Sequence, residues 1–182
     1  MSPAPRGLLD RERTALVVVD VQEAFRKAVL DFDGVAGRAG LLVQGANIMG
    51  TPVVITEQYP QGLGATVPEV ADHAEGTEAL PKTVFSSAAA EGFDLEGRDQ
   101  VLMCGIEAHV CVSQTAHDLL HRGVEVHVAS DAVSSRSVED KEAGLRKMES
   151  SGATLTSVEM ALFELLGEAG SDEFKQIQKL VK

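Results

Sequence analysis

Short apolar, β-branched runs alternate with helix-period segments along most of this chain. Thr14–Val19 (TALVVV) is nearly all apolar and ends at Asp20, the pattern of a strand buried on both faces. Val35, Ala39, Leu42, Ala46 and Met49 then step by three or four residues, as on one face of a helix. Gly50 ends that helix, because glycine tolerates the left-handed backbone that follows a last turn. Pro52–Thr56 (PVVIT) and Gln100–Cys104 (QVLMC) are the next buried-strand candidates, and Gly105 closes the second. Val112, Thr115, Ala116, Leu119 and Leu120 make a helical stripe that stops at Gly123. Val124–Ala129 (VEVHVA) reads as a strand whose alternation leaves one face less apolar. Val138, Leu145 and Met148 mark a helix before Gly152, and Ala153–Thr156 (ATLT) reads as a last strand. Ser171 is placed to cap a C-terminal helix that carries Phe174, Ile177 and Val181 inward, with Asp172 and Glu173 in its first turn.

Buried strands separated by single helices predict a mainly parallel sheet with right-handed crossovers, hence one three-layer α/β domain over residues 1–182. The segment Gln58–Glu91 breaks the alternation. It holds a Gly/Pro-rich stretch (YPQGLGATVP), an acidic run and then Pro81–Ser87 (PKTVFSS), where a short strand is expected at Thr83–Phe85. A loop that long in a compact domain is usually functional. There is no internal repeat and no low-complexity linker.

Composition narrows the function classes. Hydrophobic residues make up 44% and charged residues 24% of the 182, ordinary globular values. Sixteen Lys and Arg against twenty-eight Asp and Glu give a net charge of −12. Such a surface repels phosphate backbones and anionic lipid, so neither nucleic acid nor a membrane is an expected partner. No apolar run approaches the ~20 residues of a transmembrane helix. Met1–Arg13 has no apolar stretch followed by a small-residue cleavage site, so no secretory signal is read there. Cys104 and Cys111 alone do not make a disulfide framework. A soluble cytoplasmic protein is the expectation.

In an open parallel sheet, ligands bind beyond the carboxyl ends of the strands, where the strand order reverses. Asp20 lies at that edge if the first strand is central, and so does the loop Gly105–Val110, which delivers Cys111 to the first turn of the next helix. Unpaired backbone N–H groups and the helix dipole favour thiolate there. Position alone leaves Cys111 either a nucleophile or a small buried hydrophobe. Asp20 is equally open between catalysis and capping the next turn, and Lys82 between catalysis and a solvated surface charge. Together, the three make a workable set: a carboxylate to take the thiol proton and an ammonium to hold the pair. Cys104 reads as strand interior.

Metal and nucleotide chemistry find little support. His117 and His121 are spaced i, i+4, but at 100° per residue both fall opposite the apolar stripe of their helix. His73 and His127 stand at ligand spacing from no other histidine. The stretch QGLGA lacks both the P-loop lysine spacing and the three-glycine dinucleotide fingerprint.

Three motifs in order, Val18–Phe25 (VVDVQEAF), Pro81–Ser87 (PKTVFSS) and Gly105–Val112 (GIEAHVCV), resemble the isochorismatase-like cysteine hydrolase superfamily, which includes nicotinamidases and N-carbamoylsarcosine amidase. The similarity runs from about Thr14 to the C-terminus, and TEQYPQGLGATVPE and DAVSSRS place it nearest the isochorismatase domain-containing branch. The resemblance implies a six-stranded sheet of order 3-2-1-4-5-6. It also implies Asp20 as general base, Lys82 as its charged neighbour and Cys111 as nucleophile. A cis peptide is implied between Ile106 and Glu107, with the backbone N–H groups of Glu107 and Cys111 forming an oxyanion hole. Nicotinamidases carry an Asp-x-His metal motif where this chain has Thr56-Glu57-Gln58-Tyr59, so no zinc or iron and no other cofactor is expected. True isochorismatases lack the cysteine, and Ala108 stands where many members have threonine.

The resulting expectation is a cofactor-free hydrolase of a small C–N substrate, working through a Cys-Asp-Lys triad and a thioester. Phe25, Tyr59 and Phe85 are candidates for lining its pocket, and the family implies a homo-oligomer. The alternative is a catalytically silent oligomeric binding or scaffold protein on the same fold.

Overall fold

All six residues of Thr14–Val19 are buried, as an unbroken apolar run demands of a strand covered on both faces. The computed structural model describes residues 7–182, and Met1–Arg6 of the segment read for a secretory signal lies outside them. Six strands, β1 (Thr14–Val19), β2 (Val53–Gln58), β3 (Leu80–Lys82), β4 (Gln100–Ile106), β5 (Glu125–Ser134) and β6 (Thr154–Thr156), form one sheet in the order β3-β2-β1-β4-β5-β6. Every pairing is parallel. The helices are α1 (Phe32–Met49), the short α2 (Pro60–Leu63) and α3 (Pro68–Ala71), then α4 (Ser113–His121), α5 (Val138–Ser150), α6 (Val158–Leu166) and α7 (Asp172–Leu180).

The period-2 alternation of strand side chains divides the core. Leu16, Val18, Leu102, Cys104 and Ala129 point to one face and pack beneath α1, α6 and α7. Val17, Val19, Met103, Val126 and Val128 point to the other, beneath α4 and α5. The sheet is thus the middle of three layers, and its topology is the one expected.

Three boundaries differ from the sequence reading. The third strand is Leu80–Lys82, not Thr83–Phe85. It is an edge strand, where Pro81 is tolerated, and the chain beyond it turns so that the Val84 and Phe85 carbonyls meet the Lys82 ammonium. β5 runs on past Ala129 to Ser134, after a register shift against β4 between Met103 and Gly105. The helix α6 was not anticipated. Its cap is Ser157, whose Oγ accepts from the Met160 N–H, and Leu162 packs it against Gly45 of α1. At the C-terminus, Ser171 caps α7 as expected and Ile177 is fully buried, whereas Phe174 and Val181 are half-buried.

Gly105 sets how closely the two central strands approach. It pairs with Val19 at φ +118°, and a Cβ there would lie 2.0 Å from the Val19 carbonyl oxygen. Both the conformation and the contact exclude a side chain. Gly105→Ala is therefore expected to cost at least about 3 kcal/mol or to prevent folding. The urea midpoint by circular dichroism checks this, with Gly37→Ala, where a Cβ meets nothing within 4 Å, as the control expected to keep its stability.

Candidate active site

Strands β1 to β4 deliver polar residues to one edge of the sheet. Asp20 follows the last residue of β1, Gln58 and Lys82 end β2 and β3, and Glu107 follows β4. This carboxyl edge, next to the β1–β4 boundary where the order reverses, is where the sequence placed the chemistry.

Asp20 is completely buried and adopts φ +52°, a left-handed conformation that aspartate accepts more readily than most residues. Its backbone N–H donates to the Thr56 carbonyl (3.1 Å). The Lys82 ammonium donates to Asp20 Oδ2 at 2.7 Å, and neither side chain has any exposed surface. The Thr56 hydroxyl donates to Asp20 Oδ1 at 2.8 Å, so each carboxylate oxygen has a donor. Lys82 Nζ also donates to Gln58 Oε1 (2.6 Å) and the Phe85 carbonyl (3.0 Å), with the Val84 carbonyl farther away at 3.3 Å. A buried ion pair holds only when its remaining donors and acceptors are satisfied in this way.

Cys111 sits in a π-helical turn, Ala108–Val112, that runs directly into α4. Turns of this rare type are frequent at functional sites. The peptide bond before Glu107 is cis. The turn closes through the Val112 N–H to the Glu107 carbonyl (3.2 Å). The backbone of α5 presses on it at Gly144, where a Cβ would lie 2.8 Å from the Ala108 carbonyl oxygen. The sulfur is 6% exposed at the residue level and faces Gln58 Oε1 at 3.9 Å.

A hydrogen-bonded chain ties the thiol's turn back to Asp20. Thr115 Oγ1 donates to the Cys111 carbonyl (2.7 Å) and accepts from the Ser87 N–H (2.8 Å). Ser87 Oγ lies 2.9 Å from Thr56 Oγ1. Because Thr56 uses its one hydrogen on Asp20, Ser87 is the donor in that contact.

The state of the sulfur corrects the sequence reading. Burial pushes the Cys111 thiol up to about 12, and the negative charge of Asp20 adds to the rise while Lys82 opposes it. The expected thiolate, favoured by a helix end and an ammonium, is not the resting form. Desolvation outweighs both. Cys104 is fully buried in β4, and burial raises its thiol further still.

The remaining candidates are placed as follows. The Glu107 carboxylate accepts from Arg136 N (3.1 Å) and Nε (3.0 Å). Tyr59 and Phe85 are about half exposed and border the site through their backbones: the Tyr59 N–H donates to the Lys82 carbonyl, and the Phe85 carbonyl accepts from Lys82. Phe25, in the short helical turn that follows Asp20, is partly buried and packs against the core cluster under α1. His117 bonds Ser113 and Ser151, and His121 is exposed. Among the described residues no group of three or more His, Cys, Asp or Glu could hold a metal ion. The residues at the nicotinamidase metal motif do not fit one either. Glu57 Oε1 takes both the N–H and hydroxyl of Thr66, while Thr56 and Gln58 Oε1 are engaged by Asp20 and Lys82.

Sequence reasoning missed Gln22, Thr56, Gln58, Ser87 and Thr115 as parts of the site. Gln22 and Ser87 lie within the motifs VVDVQEAF and PKTVFSS, and Gln58 stands two residues past the run PVVIT, as the last residue of β2. An uncharged polar residue at the end of a buried strand was the available signal. Gln22 donates to the Gln58 and Gly64 carbonyls and accepts from the Gln58 N–H, which pins the segment after β2.

The isochorismatase domain pattern matches residues 14–160. Isochorismatase domain-containing protein 2A of Mus musculus is 42% identical over 182 residues, covering 98% of this chain and 87% of the mouse protein. Isochorismatase domain-containing protein 2 of Homo sapiens is 44% identical over 172 residues, covering 93% and 83% of the two chains. Among solved structures, the MAR1 ribonuclease from Caenorhabditis elegans superposes with a TM-score of 0.89 at 40% identity, covering 96% of this chain and 92% of that one.

Lys82→Met leaves the Asp20 carboxylate buried without its counter-ion, and a loss of about 3–5 kcal/mol in urea unfolding is expected. Only thiolate is alkylated. Iodoacetamide labelling of Cys111 should therefore climb about tenfold per pH unit from 7 to 10 with no plateau, since the thiol titrates near 12. Asp20→Asn removes a charge that raises the thiol, so labelling at pH 8 should quicken. Quantification of both cysteines by mass spectrometry reads out each case.

Proposed function

The chain belongs to the isochorismatase family, and from that premise we propose that it is a cofactor-free cysteine hydrolase acting on a small amide-type C–N bond. The observation that carries this reading is the fully buried Lys82–Asp20 pair beside a nearly buried thiol on which both charges act. Such a pair contributes little stability that apolar residues could not supply. Its retention at the carboxyl edge is explained by chemistry.

The cycle begins with the thiol protonated. As Cys111 Sγ bonds to the substrate carbonyl carbon, its proton passes to Asp20, which spares the enzyme a free buried thiolate. The carbonyl oxygen takes the negative charge and is met by the backbone N–H groups of Glu107 and Cys111, where each donor is worth ~3–4 kcal/mol. Asp20 then protonates the leaving nitrogen and the C–N bond breaks, leaving a thioester. Asp20 next takes a proton from water as the oxygen attacks the acyl carbon, and the sulfur departs and regains its proton. The sum is amide plus water to carboxylic acid plus amine. Lys82 holds the carboxylate in place throughout.

Tyr59 and Phe85, at the rim, and Phe25 beneath it are the proposed apolar contacts of the substrate. The net charge of −12 argues against RNA or any polyanion in this site. We also propose a homo-oligomer, for whose interface the exposed Val84 and Val138 are available. Two free cysteines agree with a reducing, cytoplasmic setting. No helix among the described residues is long and apolar enough to cross a membrane.

A screen of small amides, ureides and esters on wild type and Cys111→Ser is the test. Turnover by wild type that falls at least about 10³-fold in the variant is expected for loss of a nucleophile. Equal turnover in both would end the nucleophile assignment. Silence of a folded wild type across all three classes would leave the oligomeric binding protein.

A further inference from the structure

One glutamine oxygen is in contact with both the ammonium and the thiol. Gln58 Oε1 accepts from Lys82 Nζ at 2.6 Å and is the atom that Cys111 Sγ faces at 3.9 Å. The amide cannot turn over without loss. Its Nε2 donates to the Thr83 carbonyl (3.0 Å), and a flip would aim that NH2 at the ammonium. The backbone of Gln58 is gripped as well, since its N–H donates to Gln22 Oε1 and its carbonyl accepts from Gln22 Nε2.

The three ammonium hydrogens of Lys82 are thereby allotted to Asp20 Oδ2, Gln58 Oε1 and the loop carbonyls of Phe85 and Val84. These oxygens compete with the sulfur for the same hydrogens: Lys82 does act on the thiol and lowers it, but burial and the charge of Asp20 outweigh that contact. A thiolate formed in the resting site would face a carbonyl oxygen with no hydrogen between the two electron-rich atoms.

We infer that Gln58 is a positioning residue that keeps the resting sulfur protonated, by holding the ammonium hydrogen that a thiolate would need. The inference rests on the hydrolase reading for its purpose, because it makes nucleophile formation conditional on a substrate that brings its own carbonyl to the site. The charged groups acting on the thiol are Asp20 after β1 and Lys82 on β3. Glu57 on β2 is turned to Thr66. On the thiol's own turn, Glu107 is paired with Arg136, and His109 bonds Ser135 and faces Asp140 of α5 at 3.9 Å. These pairings leave Gln58 as the uncharged group through which Lys82 is restrained.

Two full-length variants test this with opposite signs. Gln58→Leu removes the acceptor and frees one ammonium hydrogen for the sulfur, and iodoacetamide labelling of Cys111 at pH 7 should rise about tenfold or more, its pH profile moving about one unit downward. Gln58→Glu keeps the shape and adds negative charge, so labelling at pH 7 should slow and the profile should move upward. A purely structural role would move both variants the same way. That result, or an unchanged Gln58→Leu profile, overturns the inference. Labelling of Cys104 reports unfolding in the same experiment. Should Gln58→Leu fail to fold, Gln58→Glu decides alone, with slowing as support and no slowing as refutation. No turnover is needed, so a failed substrate screen leaves this result intact. An unchanged profile likewise leaves the Cys111→Ser comparison standing.

Discussion

The buried contact between Lys82 and Asp20 is the constraint around which this edge of the protein is organised. Removing both charges from water costs several kcal/mol per ion, and attraction at 2.7 Å offsets it only when no other donor or acceptor is left bare. That requirement accounts for the surroundings. It explains the turn after β3, which brings two carbonyls to the ammonium. It also explains a fully buried threonine in β2, because Thr56 serves the second carboxylate oxygen. The glutamine at the end of β2 completes the shell.

The sulfur is held by a different set of forces. Its turn is clamped between the sheet edge and α5, and the Ser87 and Thr115 contacts reference it to Asp20 through hydrogen bonds instead of through the chain. Residues from β1, β2, β3 and α4 therefore meet although they are far apart in sequence. The parallel order makes this possible, since β1, β2, β3 and β4, whose end leads to the thiol's turn, all point their carboxyl ends the same way. Close approach of β4 to β1 at Gly105 holds together the ends of the two strands that lead to Asp20 and to the thiol's turn.

Much of this was legible in the residues. Unbroken apolar runs identified β1, β2 and β4, because strands buried on both faces need no alternation. The order of the sheet and the grouping of Asp20, Lys82 and Cys111 came from motif resemblance, and the structure brings Asp20 and Lys82 into direct contact. What was not legible has physical causes. Thr83–Phe85 has strand-forming residues, yet a buried ammonium needs its carbonyls more than the sheet does. The sulfur's protonation was misjudged because a helix end and a nearby cation are visible in sequence, while the depth of burial that opposes them is not. Gln58 escaped notice because a glutamine after a strand run looks like the start of a loop. Its importance lies in three partners supplied by distant segments.

Gly144 gives α5 a reach that its position alone does not suggest. With no side chain to act as a spacer, the helix backbone bears directly on Ala108, three residues before the sulfur. A larger residue at 144 would meet the backbone of Ala108 and His109, so a position on the outer layer limits how the turn that carries the sulfur can sit.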